Sequence, residues 1–157
     1  MNTGLTVLSA AAGLVVLTVT IHAIGFDLLL RAMARSRTLA ASGIRRVGGS
    51  LIVLTCWLVI IHAAEIAAWA LFYWWQDCVP DAESAVYFSG VTYTTVGYGD
   101  LVLPREWRML APLEALTGIL MYGLSTGLFF ALVSRWIRNW LQTNAAPEVH
   151  SAVPIGE

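Results

Sequence analysis

The chain has 157 residues, 58% of them hydrophobic and 12% charged, with a net charge of −1 and a mean hydropathy of +0.71. That composition excludes an ordinary soluble domain, and the missing basic footprint excludes a nucleic-acid partner. The length leaves room for three membrane spans and little else.

The first apolar stretch, about Leu5 to Leu30, is long enough to cross roughly 30 Å of hydrocarbon at about 1.5 Å per residue. Residues 1–30 are read as a transmembrane anchor, not a cleavable leader, because Met1-Asn2-Thr3-Gly4 carries no basic start and the apolar run is too long. His22 and Asp27 are ionisable groups inside it, and Asp27 precedes Arg31 by one helical turn, so the two are expected to pair. An Arg-rich loop, 31–46, follows with Arg31, Arg35, Arg37, Arg45 and Arg46.

A second span is expected over 51–75. Cys56 lies within it and reads as an inert core thiol. His62 and Glu65, three residues apart, share one helical face. The closing Trp69, Tyr73, Trp74 and Trp75 read as an interfacial aromatic belt. The loop beyond holds Asp77, Asp81 and Glu83 and no base; Cys78 sits there as a free thiol or as half of an inter-subunit disulfide.

Residues 81–92 are expected to form a short helix, with Pro80 suited to its start and Asp81 to the positive end of its dipole. Too short to span, it must be buried in protein, and the partial negative charge at its far end favours a cation near the membrane middle. Thr94-Thr95-Val96-Gly97-Tyr98-Gly99-Asp100 comes next. Irregular backbone at this depth is tolerated only where it is buried or lines an aqueous path. Aiming successive carbonyls at one axis needs alternating backbone hand, which Gly97 and Gly99 allow at little steric cost.

The third span is expected over 110–137, with Glu114 near its start and Gly118, Gly123 and Gly127 along it. Gly123 and Gly127 make a small-xxx-small pair, which suits close helix packing. Residues 139–157, rich in Ala, Pro, Glu and Gly without periodicity, are expected to be a disordered cytoplasmic tail. Five Arg between the first two spans and Arg135 and Arg138 after the third outweigh Arg105 and Arg108 on the opposite side. The positive-inside rule then puts the N-terminus outside, the C-terminus inside the cell membrane, and the short helix on the outer face. All these Arg are juxtamembrane, which argues against a voltage sensor; the loop cluster suits anionic lipid headgroups or simple topology control.

Thr95-Val96-Gly97-Tyr98-Gly99 resembles the selectivity filter of the potassium channel family, and the resemblance covers residues 47–138. Tyr87-Phe88-Ser89 before the filter looks most like bacterial single-pore channels and the pore halves of two-pore-domain channels. The resemblance implies an all-α membrane protein of three transmembrane helices plus a re-entrant pore helix and filter. It implies potassium ions bound at Thr95, Val96, Gly97 and Tyr98, with Gly99 closing the filter and Val96 and Tyr98 packing behind it. One chain supplies one filter strand, so a homotetramer follows, with membrane lipid as its surroundings and no soluble partner or further cofactor. Thr94, Tyr87, Asp100 and Glu114 are implied as filter support, Tyr87 as a donor to Asp100 and Glu114 as a partner for backbone behind the filter. Phe88 stands where many relatives have Trp, and Pro104 comes one residue later than usual after Asp100, so the bracing differs. Gly118, Gly123 and Gly127 are packing glycines or gating hinges; His62 and Glu65 are inter-helix contacts or a pH-sensitive pair. The rival readings are a proton-coupled transporter and a non-conducting regulatory subunit, neither of which explains an intact filter sequence. Nothing in the chain points to an enzyme.

Overall fold

The computed structural model describes residues 3–35 and 44–144. They form four helices: α1 (Thr3–Arg35), α2 (Ile44–Trp75), α3 (Ala82–Tyr93) and α4 (Leu110–Asn144). The three long helices, of 33, 32 and 35 residues, are each apolar enough to cross a membrane. Each is about 50 Å long at 1.5 Å per residue, so their ends reach past the hydrocarbon or the helices tilt. A helix satisfies its own backbone, which is why Leu-, Val- and Ala-rich segments take this form in lipid.

The sequence expectations for the helix ends need correction. α2 begins at Ile44, so Arg45 and Arg46 belong to a helix and not to a loop, while Arg37 lies outside the described residues. α4 continues to Asn144, through the first part of the stretch expected to be disordered; 145–157 lie outside the described residues. Once a span is helical, each added residue contributes a hydrogen bond with no new nucleus. From Arg138 to Asn144 there is neither Gly nor Pro to stop it.

α1 runs antiparallel to α2, and the two buried clusters show how. Val7, Ala11 and Leu14 of α1 pack with Trp69 and Tyr73 of α2, Phe88 and Tyr93 of α3, and Leu110 and Met121 of α4. At the other end, Leu29 and Met33 of α1 meet Leu54 of α2 and Leu132 and Trp136 of α4. α3 therefore lies at the end of the bundle where α1 starts, α2 finishes and α4 starts. α1 and α2 approach closely at Gly25, where an added Cβ would stand 2.6 Å from Ile61 Cγ1. There Trp57 Nε1 donates to the Gly25 carbonyl at 2.9 Å.

Much apolar surface faces outward, including Leu8, Val16, Ile52, Val59 and Phe130. In water this would be a liability; against lipid or further subunits it is the expected exterior. Cys56 shares this surface, contrary to the core thiol expected. A helix that is apolar all round carries no sign of which face is buried.

Candidate functional site: the filter strand and its buried support

α3 is started by Asp81, which takes the N-cap position with φ −154° and ψ 169° and accepts from the Ser84 N–H at 2.7 Å. Pro80 therefore precedes the helix and does not open it. The turn before it closes with Cys78 N–H to the Tyr73 carbonyl at 2.9 Å and Asp77 at φ +50°. Cys78 is buried, and burial, with the Glu106 and Asp77 carboxylates adding, pushes its thiol up to about 11. A buried, protonated thiol turned into its own chain disfavours the inter-subunit disulfide.

At the other end of α3, Thr94 caps the helix at φ −78°, its N–H and its hydroxyl both directed to the Gly90 carbonyl, at 3.1 and 2.7 Å. From there the backbone changes hand at alternate residues: φ is +63° at Thr95, +54° at Gly97 and +77° at Gly99, while Val96 and Tyr98 stay off the left-handed side. The strand folds back along the end of α3 so that Gly97 N–H reaches the Val91 carbonyl at 3.0 Å. The two glycines were readable from sequence as positive-φ positions; Thr95 was not. A β-branched residue with positive φ is strained, and such strain persists only where the surroundings over-determine it.

Every residue from Thr94 to Asp100 is exposed within one chain, Val96 at 51% and Tyr98 at 71%. The expected packing of Val96 and Tyr98 behind the filter is therefore not supplied by their own chain. A groove of about 340 Å³ lies beside the strand, between Thr95, Gly97 and Gly99 on one side and Ala111 and Ala115 of α4 on the other. At the far end of the strand the Tyr87 hydroxyl donates to Asp100 Oδ2 at 2.7 Å, chiefly for which reason the Asp100 carboxyl is held below its ordinary value of 3.8. Phe88, in the position of the missing Trp, is buried edge-on against the Tyr73 ring.

Behind the strand lie two buried carboxylates, each fully enclosed. Glu114 of α4 accepts from the Tyr73 hydroxyl at 2.8 Å, and the Ser89 hydroxyl lies 2.5 Å from its other oxygen and 2.9 Å from the Ile66 carbonyl. It ties α4 to α2 and α3 through side chains, not through filter backbone as expected, because it sits beside the middle of α3 and the filter begins beyond its end. Glu65 of α2 is the second. One oxygen, Oε1, has His22 Nδ1 of α1 at 2.7 Å; the other has His62 Nδ1 at 2.9 Å and the Tyr93 hydroxyl. His62 Nε2 in turn meets Ser125 Oγ of α4 at 3.0 Å. The pairing of His62 with Glu65 was legible in their spacing.

His22, His62 and Glu65 offer three ligand atoms within 4.8 Å of one another, a set that suits a divalent transition metal. Both Glu65 oxygens already have donors at hydrogen-bond distance, which is how a buried carboxylate is satisfied without an ion.

The α4 glycines divide. A Cβ at Gly118 would run into the Tyr93 carbonyl, so its absence lets α3 seat on α4. Gly123 and Gly127 are exposed and open, and the close packing expected of that pair does not occur within the chain. Of the expected aromatic belt, Trp74 and Trp75 are exposed, but Trp69 and Tyr73 are wholly buried. Trp69 Nε1 donates to Thr18 Oγ1 of α1 at 2.9 Å. Asp27 and Arg31 pair as expected, at 2.8 Å, on the surface.

A family model described as ion channel matches residues 51–135, more than half of the chain. The chain belongs to this ion channel family. The match is of the potassium-channel pore type, and it takes in α2 from Leu51, α3, the filter strand and α4 to Arg135. No curated protein and no solved structure matches the channel. α1 lies outside the match, yet it contributes His22 and Thr18 to the buried contacts of the pore unit. Sequence reading singled out His22 as an ionisable residue in a span, but missed Tyr93, Tyr73, Ser89 and Ser125. The available signal was depth: His22, His62 and Glu65 all fall mid-span, where a polar group needs a partner from another helix.

Proposed function

We propose that this channel subunit assembles as a homotetramer and conducts potassium passively and selectively, with Thr95, Val96, Gly97 and Tyr98 giving the ion-binding carbonyls. The observation that carries the reading is the alternation of backbone hand at Thr95, Gly97 and Gly99. Backbone of alternating hand turns successive peptide groups toward one side, as a carbonyl-lined path requires. Exposure of the whole strand, with an open groove beside it, supports completion by other copies. Four strands around an axis make the filter; one chain does not. The C-terminal end of α3 adds a partial negative charge near the start of the strand, favourable to a cation.

In this reading the filter end faces outside. Arg35, Arg135 and Arg138 gather at the opposite end, beside Met33 and Trp136, and suit the cytoplasmic leaflet and its anionic lipids. No catalysis is involved.

Flux into liposomes carrying the purified protein tests this, with K⁺ and Na⁺ compared and Gly97→Ala as control. The expected result is K⁺ uptake with Na⁺ excluded, lost in the control. Equal permeability to both ions would overturn the reading; proton-coupled flux surviving the loss of Gly97 and Gly99 would favour a transporter.

A further inference from the structure

We infer that His22, on the helix outside the matched pore unit, is a positioning residue for the filter, acting through Glu65 and Tyr93; this rests on the potassium-selective reading above. Tyr93 is the last residue of α3 and is followed directly by Thr94 and the strained Thr95. Its ring is buried, and its hydroxyl is bound to Glu65 Oε2. The carboxylate can hold Tyr93 in one place only if it is itself held. His62, on the same helix, fixes Oε2, while among the described residues the partner of Oε1 is His22 Nδ1, at 2.7 Å.

His22 is 3% exposed, and its second ring nitrogen, Nε2, has no hydrogen-bond partner among the described residues. An unpartnered polar atom in an apolar bundle is costly. Leu or Phe would fill the same space without that cost, so packing does not explain an imidazole here. Aim at the carboxylate does.

The rest of α1 is built to keep that aim. Thr18 and Gly25, one turn before and one turn after His22 on the same face, both dock on α2. Thr18 Oγ1 accepts from Trp69, the Gly25 carbonyl accepts from Trp57, and the bare Gly25 backbone admits Ile61. On the far side of Tyr93 its carbonyl is pressed against Gly118, so the end of α3 is set from both directions. Ion sites made of backbone carbonyls depend on small differences in position, and a shift of Tyr93 passes straight into the strand.

The test is the K⁺ to Na⁺ flux ratio of full-length protein in liposomes. His22→Leu keeps an apolar filling and removes the donor; His22→Asn keeps an N–H close to the Nδ1 position. Tyr93→Phe cuts the same link at its other end. Leu29→Ala loosens the packing of α1 on α2 and α4 at the other end of the bundle and removes no hydrogen bond that leads to Tyr93. The ratio is expected to fall about tenfold in His22→Leu and in Tyr93→Phe, the scale of one lost hydrogen bond to a carboxylate. It falls no further in the double variant, recovers in His22→Asn, and stays at the wild-type value in Leu29→Ala. An unchanged ratio in His22→Leu, or an equal loss in Leu29→Ala, overturns the inference while leaving the potassium reading intact. Wild-type protein that passes Na⁺ and K⁺ equally overturns both, and is read before any variant.

Discussion

The filter strand and the layer behind it are built on opposite principles. From Thr94 to Asp100 each residue is exposed, and the strand is shaped by backbone conformation, with a turn-back bond from Gly97 to Val91 and side-chain ties at its two ends, Thr94 and Asp100. Directly behind it, Glu65 and Glu114 are wholly buried, and side chains from all four helices converge on them or on their partners. The front is open in the single chain; the rear is enclosed within it. Polar groups at membrane depth are costly unless paired, and both oxygens of Glu65 and of Glu114 find donors inside the chain, while the residues of the strand stay exposed.

Substitutions at the front should abolish function while sparing the fold of the single chain. Gly97→Ala or Gly99→Ala puts a Cβ on backbone with φ of +54° or +77°. At about 1–2 kcal/mol per residue, repeated in each copy of the proposed tetramer, K⁺ flux in liposomes should fall by at least about 100-fold. Full flux in either variant would mean the strand does not need this conformation.

The rear should respond in stability. Glu114→Leu leaves the buried Tyr73 and Ser89 hydroxyls without their carboxylate and should cost about 2–5 kcal/mol in denaturant unfolding of the detergent-solubilised protein. Glu114→Gln, which keeps one acceptor oxygen, should cost about half as much. An unfolding midpoint unmoved by Glu114→Leu would break the contrast between the two layers.

The α4 glycines sharpen it further. Gly118→Ala must displace the Tyr93 carbonyl and should destabilise by about 1–3 kcal/mol, whereas Gly123→Ala and Gly127→Ala meet open space and should stay within about 0.5 kcal/mol for the single chain. Altered single-channel gating in the latter pair, with stability unchanged, would assign them to the pore and not to packing.

The smallest effect is expected at the Tyr87–Asp100 tie. Because the folded-state value of Asp100 is depressed below 3.8, the tie contributes fully above that ordinary value and is lost as pH falls through the depressed one. K⁺ flux should decline on strong acidification of the filter side, and Tyr87→Phe should move the decline toward higher pH. A decline that is identical in the variant would separate the filter from this contact.

Some of these elements are legible in the sequence. Three spans follow from apolar length, the irregular strand from its two glycines, and the start of α3 from Asp81, because each depends on neighbours in sequence. The Asp27–Arg31 and His62–Glu65 pairs were legible for the same reason, being one helical turn apart. Trp69 and Tyr73 were misjudged as a belt and Cys56 as core, since an apolar span gives no sign of which side meets protein.

The sequence by itself determined the membrane helices, the irregular strand between two of them and its two positive-φ glycines, through local length, hydropathy and backbone freedom. Only the tertiary structure decided that Glu65 would draw His22 from α1 and Tyr93 from α3, that Glu114 would face Tyr73 and Ser89, and that Gly118 and not Gly123 would admit its neighbour. Those choices depend on the depth and rotation at which one helix meets another. Each buried polar group fixes them by needing a partner that lies far away in the chain.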